Sequence, residues 1–68
     1  MREVAITDGM IRLGQFLKLA DLVDRGSDAR QVIAGGGVRV NGEVELRRGR
    51  QLHPGDVVSL GSESAQVA

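Results

Sequence analysis

Arg47, Arg48 and Arg50 occupy three of four consecutive positions, interrupted only by Gly49, and form the densest run of positive charge in the chain. Guanidinium groups stay protonated at physiological pH, pair bidentately with phosphate or carboxylate oxygens, and stack on flat π systems. The chemistry on offer is anion recognition. Arg39 lies shortly upstream, and Arg12, Lys18, Arg25 and Arg30 are spread along the first half. By residue content alone, Arg47, Arg48 and Arg50 read either as an anion-contacting patch or as a solvated loop balanced by Glu43 and Glu45, and Arg12, Lys18 and Arg30 either as anion contacts or as a polar helix face. Arg39 is expected to pair across a hairpin with Glu43.

Other chemistries find no footing. His53 is the only histidine, sits before Pro54, and has no nucleophile to serve. Asp56 follows Pro54-Gly55, where a carboxylate accepts hydrogen bonds from turn amides. Gly35-Gly36-Gly37 follows a helical stretch and precedes no Gly-Lys-Ser/Thr, so it reads as a bend and not a phosphate cradle. With no cysteine there is no disulfide and no thiolate ligand. No catalytic residue, metal site or cofactor is expected, and the chain reads as a non-enzyme.

Nine basic and nine acidic side chains cancel, which argues against a polycation that coats any nucleic acid. Their placement is uneven: Asp21, Asp24 and Asp28 gather in the first half and Arg39, Arg47, Arg48 and Arg50 in the second. A bipolar molecule is expected. Phe16 is the only aromatic residue, which weighs against readers of single strands that stack bases on aromatic platforms. The 68 residues suit one domain, 1–68, near the lower size limit for a core without staples. Apolar runs are too short to span a bilayer, and the N-terminus lacks a secretory pattern. A cytoplasmic monomer with no membrane contact is the expectation.

The elements that must position these cations are organised around Ala29 to Leu52. Helical spacing through Val32 and Ile33 gives way at the glycines to the strand alternation Val38, Arg39, Val40. Asn41-Gly42 signals a hairpin. A two-residue loop would set Val40 opposite Glu43 and Val38 opposite Glu45, mixing valines and carboxylates on one face. A three-residue loop with Gly42 left-handed sets Val38 opposite Val44 and Arg39 opposite Glu43, and is the expected register.

Upstream, Glu3 to Ile6 is a candidate edge strand ended by Asp8-Gly9, and Gly14 is a candidate N-cap. Phe16, Leu19, Ala20 and Val23 then form an apolar helical stripe, widened by Leu17 and Leu22. Gly26 is expected at the left-handed helix end and Ser27 at the next N-cap, with Ala29, Val32 and Ile33 facing inwards. Downstream, Gln51-Leu52 is a short return segment and His53 to Asp56 a type II turn. Val57 to Leu60 is a strand, and Ala65 to Val67 a last strand pairing with it.

In this order and spacing the motifs are recognisable. Arg12-Leu13-Gly14-Gln15-Phe16-Leu17-Lys18, Ala29-Arg30, Gly37-Val38-Arg39-Val40-Asn41-Gly42, Arg47-Arg48-Gly49-Arg50 and Pro54-Gly55-Asp56-Val57-Val58 together resemble the RNA-binding domain named after the fourth protein of the small ribosomal subunit, the S-four domain. The resemblance runs from about Ile11 to Leu60 and is strongest to short bacterial proteins made of that domain alone. It implies an α+β fold, the alpha-L motif: two packed helices followed by a small twisted antiparallel sheet. It implies structured RNA, in particular ribosomal RNA, as partner, with ribosome or ribosomal-protein contact. It transfers an RNA-facing role to Arg12, Lys18, Arg30, Arg39, Arg47, Arg48 and Arg50. Many S-four domains carry Ser-Arg where this chain has Arg25-Gly26, so Arg25 is expected to substitute from one position away; many also carry an acidic residue where this chain has Gly14. Ribosome assembly or translation quality control is the implied setting. The alternative is a protein-interaction adaptor docking through Asp21, Asp24 and Asp28.

Overall fold

The structure, a computed structural model, describes residues 1–68. Its elements run β1 (Arg2–Val4), β2 (Ile11–Arg12), α1 (Leu13–Leu19), α2 (Gly26–Ala34), β3 (Val38–Val40), β4 (Glu43–Val44), β5 (Gln51–Leu52), β6 (Val57–Leu60) and β7 (Glu63–Val67). Five strands form one sheet in the order β1-β7-β6-β3-β4, while β2 and β5 pair separately. The sheet is mixed and not purely antiparallel, because the N-terminal strand pairs in parallel with β7. No helix is long and apolar enough to cross a membrane.

Both helices bury one stripe against the inner face of the sheet. Leu13, Phe16, Leu17 and Ala20 come from α1 and its end, Ala29 and Ile33 from α2, and Val38, Val40, Leu52, Val58, Ala65 and Val67 from the strands. Phe16 is fully buried among them. Val32 packs on this cluster from its edge.

α1 is shorter than its sequence pattern predicts. Asp21 takes the left-handed conformation, with φ of 60°. The Leu22 amide donates to the Leu17 carbonyl and the Asp21 amide to that of Lys18, closing a Schellman end. The chain turns here, so Leu19 lies half-exposed while Leu22 folds back into the core. Gly26 accordingly does not end a helix: it is the first residue of α2, and Arg25, not Ser27, is the N-cap. Gly14 is not an N-cap either. Arg12 is, and Gly14 is buried inside the first turn.

The hairpin takes the two-residue register. Val40 lies opposite Glu43 and Arg39 opposite Val44, with both Asn41 and Gly42 at positive φ. Val38 and Val40 face the core, Val44 stays half-exposed, and Glu45 shares the inward face with Val38. The expected pairing of Arg39 with Glu43 is therefore absent, and Arg39 Nη1 donates instead to the Gly42 carbonyl at 3.2 Å. Asn41 locks the turn to the next one. Its Oδ1 accepts from the Val57 amide at 2.9 Å and its Nδ2 donates to Asp56 Oδ1 at 3.0 Å. Asp56 also accepts from the His53 amide at 2.8 Å, across a turn whose Gly55 has φ of 101°. These bonds, the His53 amide foremost, hold the Asp56 carboxyl below its ordinary pKa.

Two outcomes test this packing. Phe16→Ala should cost about 3–5 kcal/mol of stability, most of what a domain of this size has, as read from urea unfolding. Asn41→Ala should cost about 1 kcal/mol, because it removes two exposed side-chain hydrogen bonds and a side chain suited to positive φ. Its urea midpoint should fall while that of Val44→Thr, on the exposed face of β4, stays near the wild type.

Candidate nucleic-acid interface

The loop from Arg47 to Arg50 has no regular secondary structure and is held from two sides. On one side its carbonyls close the open start of α1: the Leu13 amide donates to Arg50 O at 2.8 Å and the Gly14 amide to Arg48 O at 3.0 Å. These are two of the amides a helix start leaves without an intrahelical partner. Arg12 adds a third tie, its Nη1 donating to Gly49 O at 2.9 Å. The pairing of Ile11 with Leu52 and Arg12 with Gln51 continues directly into these bonds.

On the other side stands Glu45, whose side chain is only 8% exposed. Its Oε2 accepts from the Arg47 amide and from Arg47 Nε, both at 3.0 Å. Its Oε1 accepts from Arg47 Nη2 at 3.2 Å and from Arg50 Nη1 at 2.8 Å. The Arg47 guanidinium first, then Arg50 and the Arg47 amide, lower the Glu45 pKa from 4.5 to about 2 against the opposing effect of burial. The same pairing raises the pKa of Arg47. Glu45 is thus the balancing carboxylate that the sequence suggests, without Glu43: it pairs with Arg50, whose side chain is 32% exposed, and with Arg47, whose side chain stays 75% exposed.

Arg48 goes the other way and crosses α1 at Gly14. A Cβ at Gly14 would fall 2.6 Å from Arg48 Cγ, so only glycine admits this crossing without displacement. There Arg48 joins Arg12 and Lys18 around an open groove of about 350 Å³, walled by α1 through Gly14 and Gln15, by α2 through Gly26 and Ala29, and by the loop through Gly49. The Lys18 ammonium stands 4.0 Å from where a Gly26 Cβ would lie. No carboxylate lines the groove. Neither Lys18 nor Arg48 is in a salt bridge, the only two in the protein being those of Glu45.

Of the eight cations singled out in the sequence, the fold brings Arg12, Lys18 and Arg48 together. Arg47 and Arg50 flank a second depression on the far side of Gly49, with Gln51. Arg25 and Arg30 are exposed at the start and middle of α2, outside the groove lining, and Arg39 is exposed on β3. Asp21 and Asp24 are exposed, Asp28 is partly buried, and none forms a salt bridge. Sequence reasoning named Glu45 as a balancing charge but missed that it is buried, and it missed Gly14 as the crossing point. A glycine inside a helical pattern was the available signal for Gly14.

Comparisons with known proteins identify the family of this fold. The S4 domain model matches residues 4–68. The chain belongs to the S4 domain family. Among relatives of this S4 domain, "Probable ribosome maturation protein RlbA" of Bacillus subtilis (strain 168) is 48% identical over 65 residues, covering 94% of this chain and 92% of its own. The tyrosine–tRNA ligase of Thiobacillus denitrificans is 45% identical over 51 residues, 75% of this chain but 13% of that enzyme. The solution structure of YbcJ from E. coli, described as an alpha-L motif involved in RNA binding, superimposes over the whole chain and 87% of its own, with TM-score 0.76 and 32% identity. Protein S4e of the Thermoplasma acidophilum 30S subunit shares the fold over 85% of this chain and 31% of its own, with TM-score 0.64 and 24% identity.

The clamp on the loop predicts a pH signature. A carboxyl whose folded pKa is depressed stabilises the fold fully above its ordinary value of 4.5, and that contribution disappears as pH falls through about 2. Glu45→Gln should therefore be less stable than wild type at neutral pH, with the gap in urea midpoint closing as pH drops from 4.5 towards 2. A gap that stays constant across this window would show that the charge of Glu45 is not what the fold uses.

Proposed function

We propose that this S4 domain binds structured RNA, ribosomal RNA in particular, by seating backbone phosphates in the groove between α1, α2 and the 47–50 loop. One observation carries the reading: in a protein of zero net charge, Arg12, Lys18 and Arg48 converge on an open groove that no carboxylate lines. Two guanidiniums and an ammonium offer donors to phosphate oxygens, and the glycines at 14, 26 and 49 keep the floor low enough for a phosphate to approach. Interactions of this kind position an RNA by its shape and do not read its sequence. Arg25 and Arg30 extend the positive surface along α2. On this reading the domain is non-catalytic and works in the cytoplasm. The likeness to a ribosome maturation protein and to an RNA-binding alpha-L motif supports a place in ribosome assembly, with translation quality control as the other setting.

The test is a filter-binding titration against structured ribosomal RNA fragments at several salt concentrations. Replacing Arg12, Lys18 and Arg48 together by Gln should weaken binding and flatten the dependence of log affinity on log salt by about 0.7–0.9 for each phosphate no longer neutralised. All three side chains are exposed, but Arg12 also donates to Gly49 O, so the fold of the variant is verified by circular dichroism before its affinity is read. Replacing Asp21, Asp24 and Asp28 by Asn should leave affinity unchanged or slightly higher. Wild-type affinity and slope in the Gln variant would place the RNA elsewhere, and loss of a protein partner in the Asn variant would favour an adaptor.

A further inference from the structure

Glu45 is the one buried charged side chain of the protein. It directly follows β4, facing inwards beside Val38, and has drawn a backbone amide and two guanidiniums to itself. The same short loop supplies the carbonyls of Arg48, Gly49 and Arg50 to the start of α1 and to Arg12. Between these two anchors the backbone has little freedom, and Arg48 is the one loop cation left without a carboxylate.

The structure assigns Glu45 the role of a positioning residue for the phosphate groove: its carboxylate fixes the loop so that Arg48 lies over Gly14, with Arg47 and Arg50 acting as its counter-ions. This inference rests on the groove binding RNA phosphate. It divides the arginine run by task. Arg48 meets the ligand, while Arg47 and Arg50 hold the loop that carries it.

The consequence runs against simple electrostatics. Removing a carboxylate from an anion-binding protein raises its net charge by one and releases two guanidiniums, which by charge alone should tighten binding. The positioning role requires the opposite. Without Glu45 the loop loses one of its two anchors, Arg48 leaves Gly14, and the groove loses a phosphate donor.

Glu43 supplies a control of equal charge, exposed on β4 and free of side-chain hydrogen bonds and salt bridges. In the same salt-series titration with a ribosomal RNA fragment, Glu43→Gln should bind as tightly as wild type or slightly tighter. Glu45→Gln, with its fold verified by circular dichroism, should bind roughly tenfold more weakly, the weight of one charge-assisted hydrogen bond, and with a shallower salt slope. Glu45→Gln binding as tightly as Glu43→Gln, or more tightly, overturns the inference while leaving the groove reading intact. Failure of the wild type to bind RNA overturns both. Should Glu45→Gln not fold, the wild type decides through its arginine side-chain NMR signals during RNA titration. The Nε–H resonances of Arg12 and Arg48 should move and those of Arg47 and Arg50 stay in place, and equal movement of all four overturns the inference.

Discussion

A carboxylate withdrawn from water must recover its lost hydration from charge-assisted hydrogen bonds, and Glu45 imposes that requirement on the middle of this chain. The hairpin register turns it inwards beside Val38, so donors have to come to it. The Arg47 amide, the Arg47 guanidinium and Arg50 meet that need, and in doing so they set the path of the following residues. That path delivers the carbonyls of Arg48 and Arg50 to the amides of Gly14 and Leu13. Hairpin register, loop and helix start are one linked arrangement.

The rest of the fold is economical because the chain is short. The only aromatic side chain lies at the centre, and two of the strands closest to the site are just two residues long. Such elements have no independent stability and exist because their neighbours complete them. Pieces distant in sequence add to the local caps of α1: the 47–50 loop at its start, and Arg2, which donates to the Ala20 carbonyl, just past its end. The surface that could meet RNA is built from the same junctions, so it inherits whatever rigidity they have.

Charge segregation explains how a protein without net charge can present a cationic face. Glu45 pairs with two of the loop arginines and offsets one of their two charges, and the remaining acids lie outside the groove. The groove keeps three cations and no acid. Local placement, not the total, sets the field a phosphate would meet.

Much of this was legible in the sequence. The order of helices, hairpin and final strands followed from periodicity and from the turn residues Asn41-Gly42 and Pro54-Gly55, because these signals are local and depend on backbone conformation alone. The S4 family was legible from the order and spacing of its motifs, whereas the arginine run showed only what chemistry was available and not that two of its members turn to Glu45. The parallel pairing of β1 with β7 was not legible, since it joins the two ends of the chain. The hairpin register was misjudged because alternation alone penalises a carboxylate beside valines, and only the folded loop shows the arginines that make its burial tolerable. The end of α1 was misplaced because Asp21, not a glycine, takes the left-handed position, a choice made by where Leu22 must pack. Which cations share a groove was decided by tertiary structure alone. Arg12, Lys18 and Arg48 are far apart along the chain, and the space between them exists only once Gly14 lets the loop cross the helix.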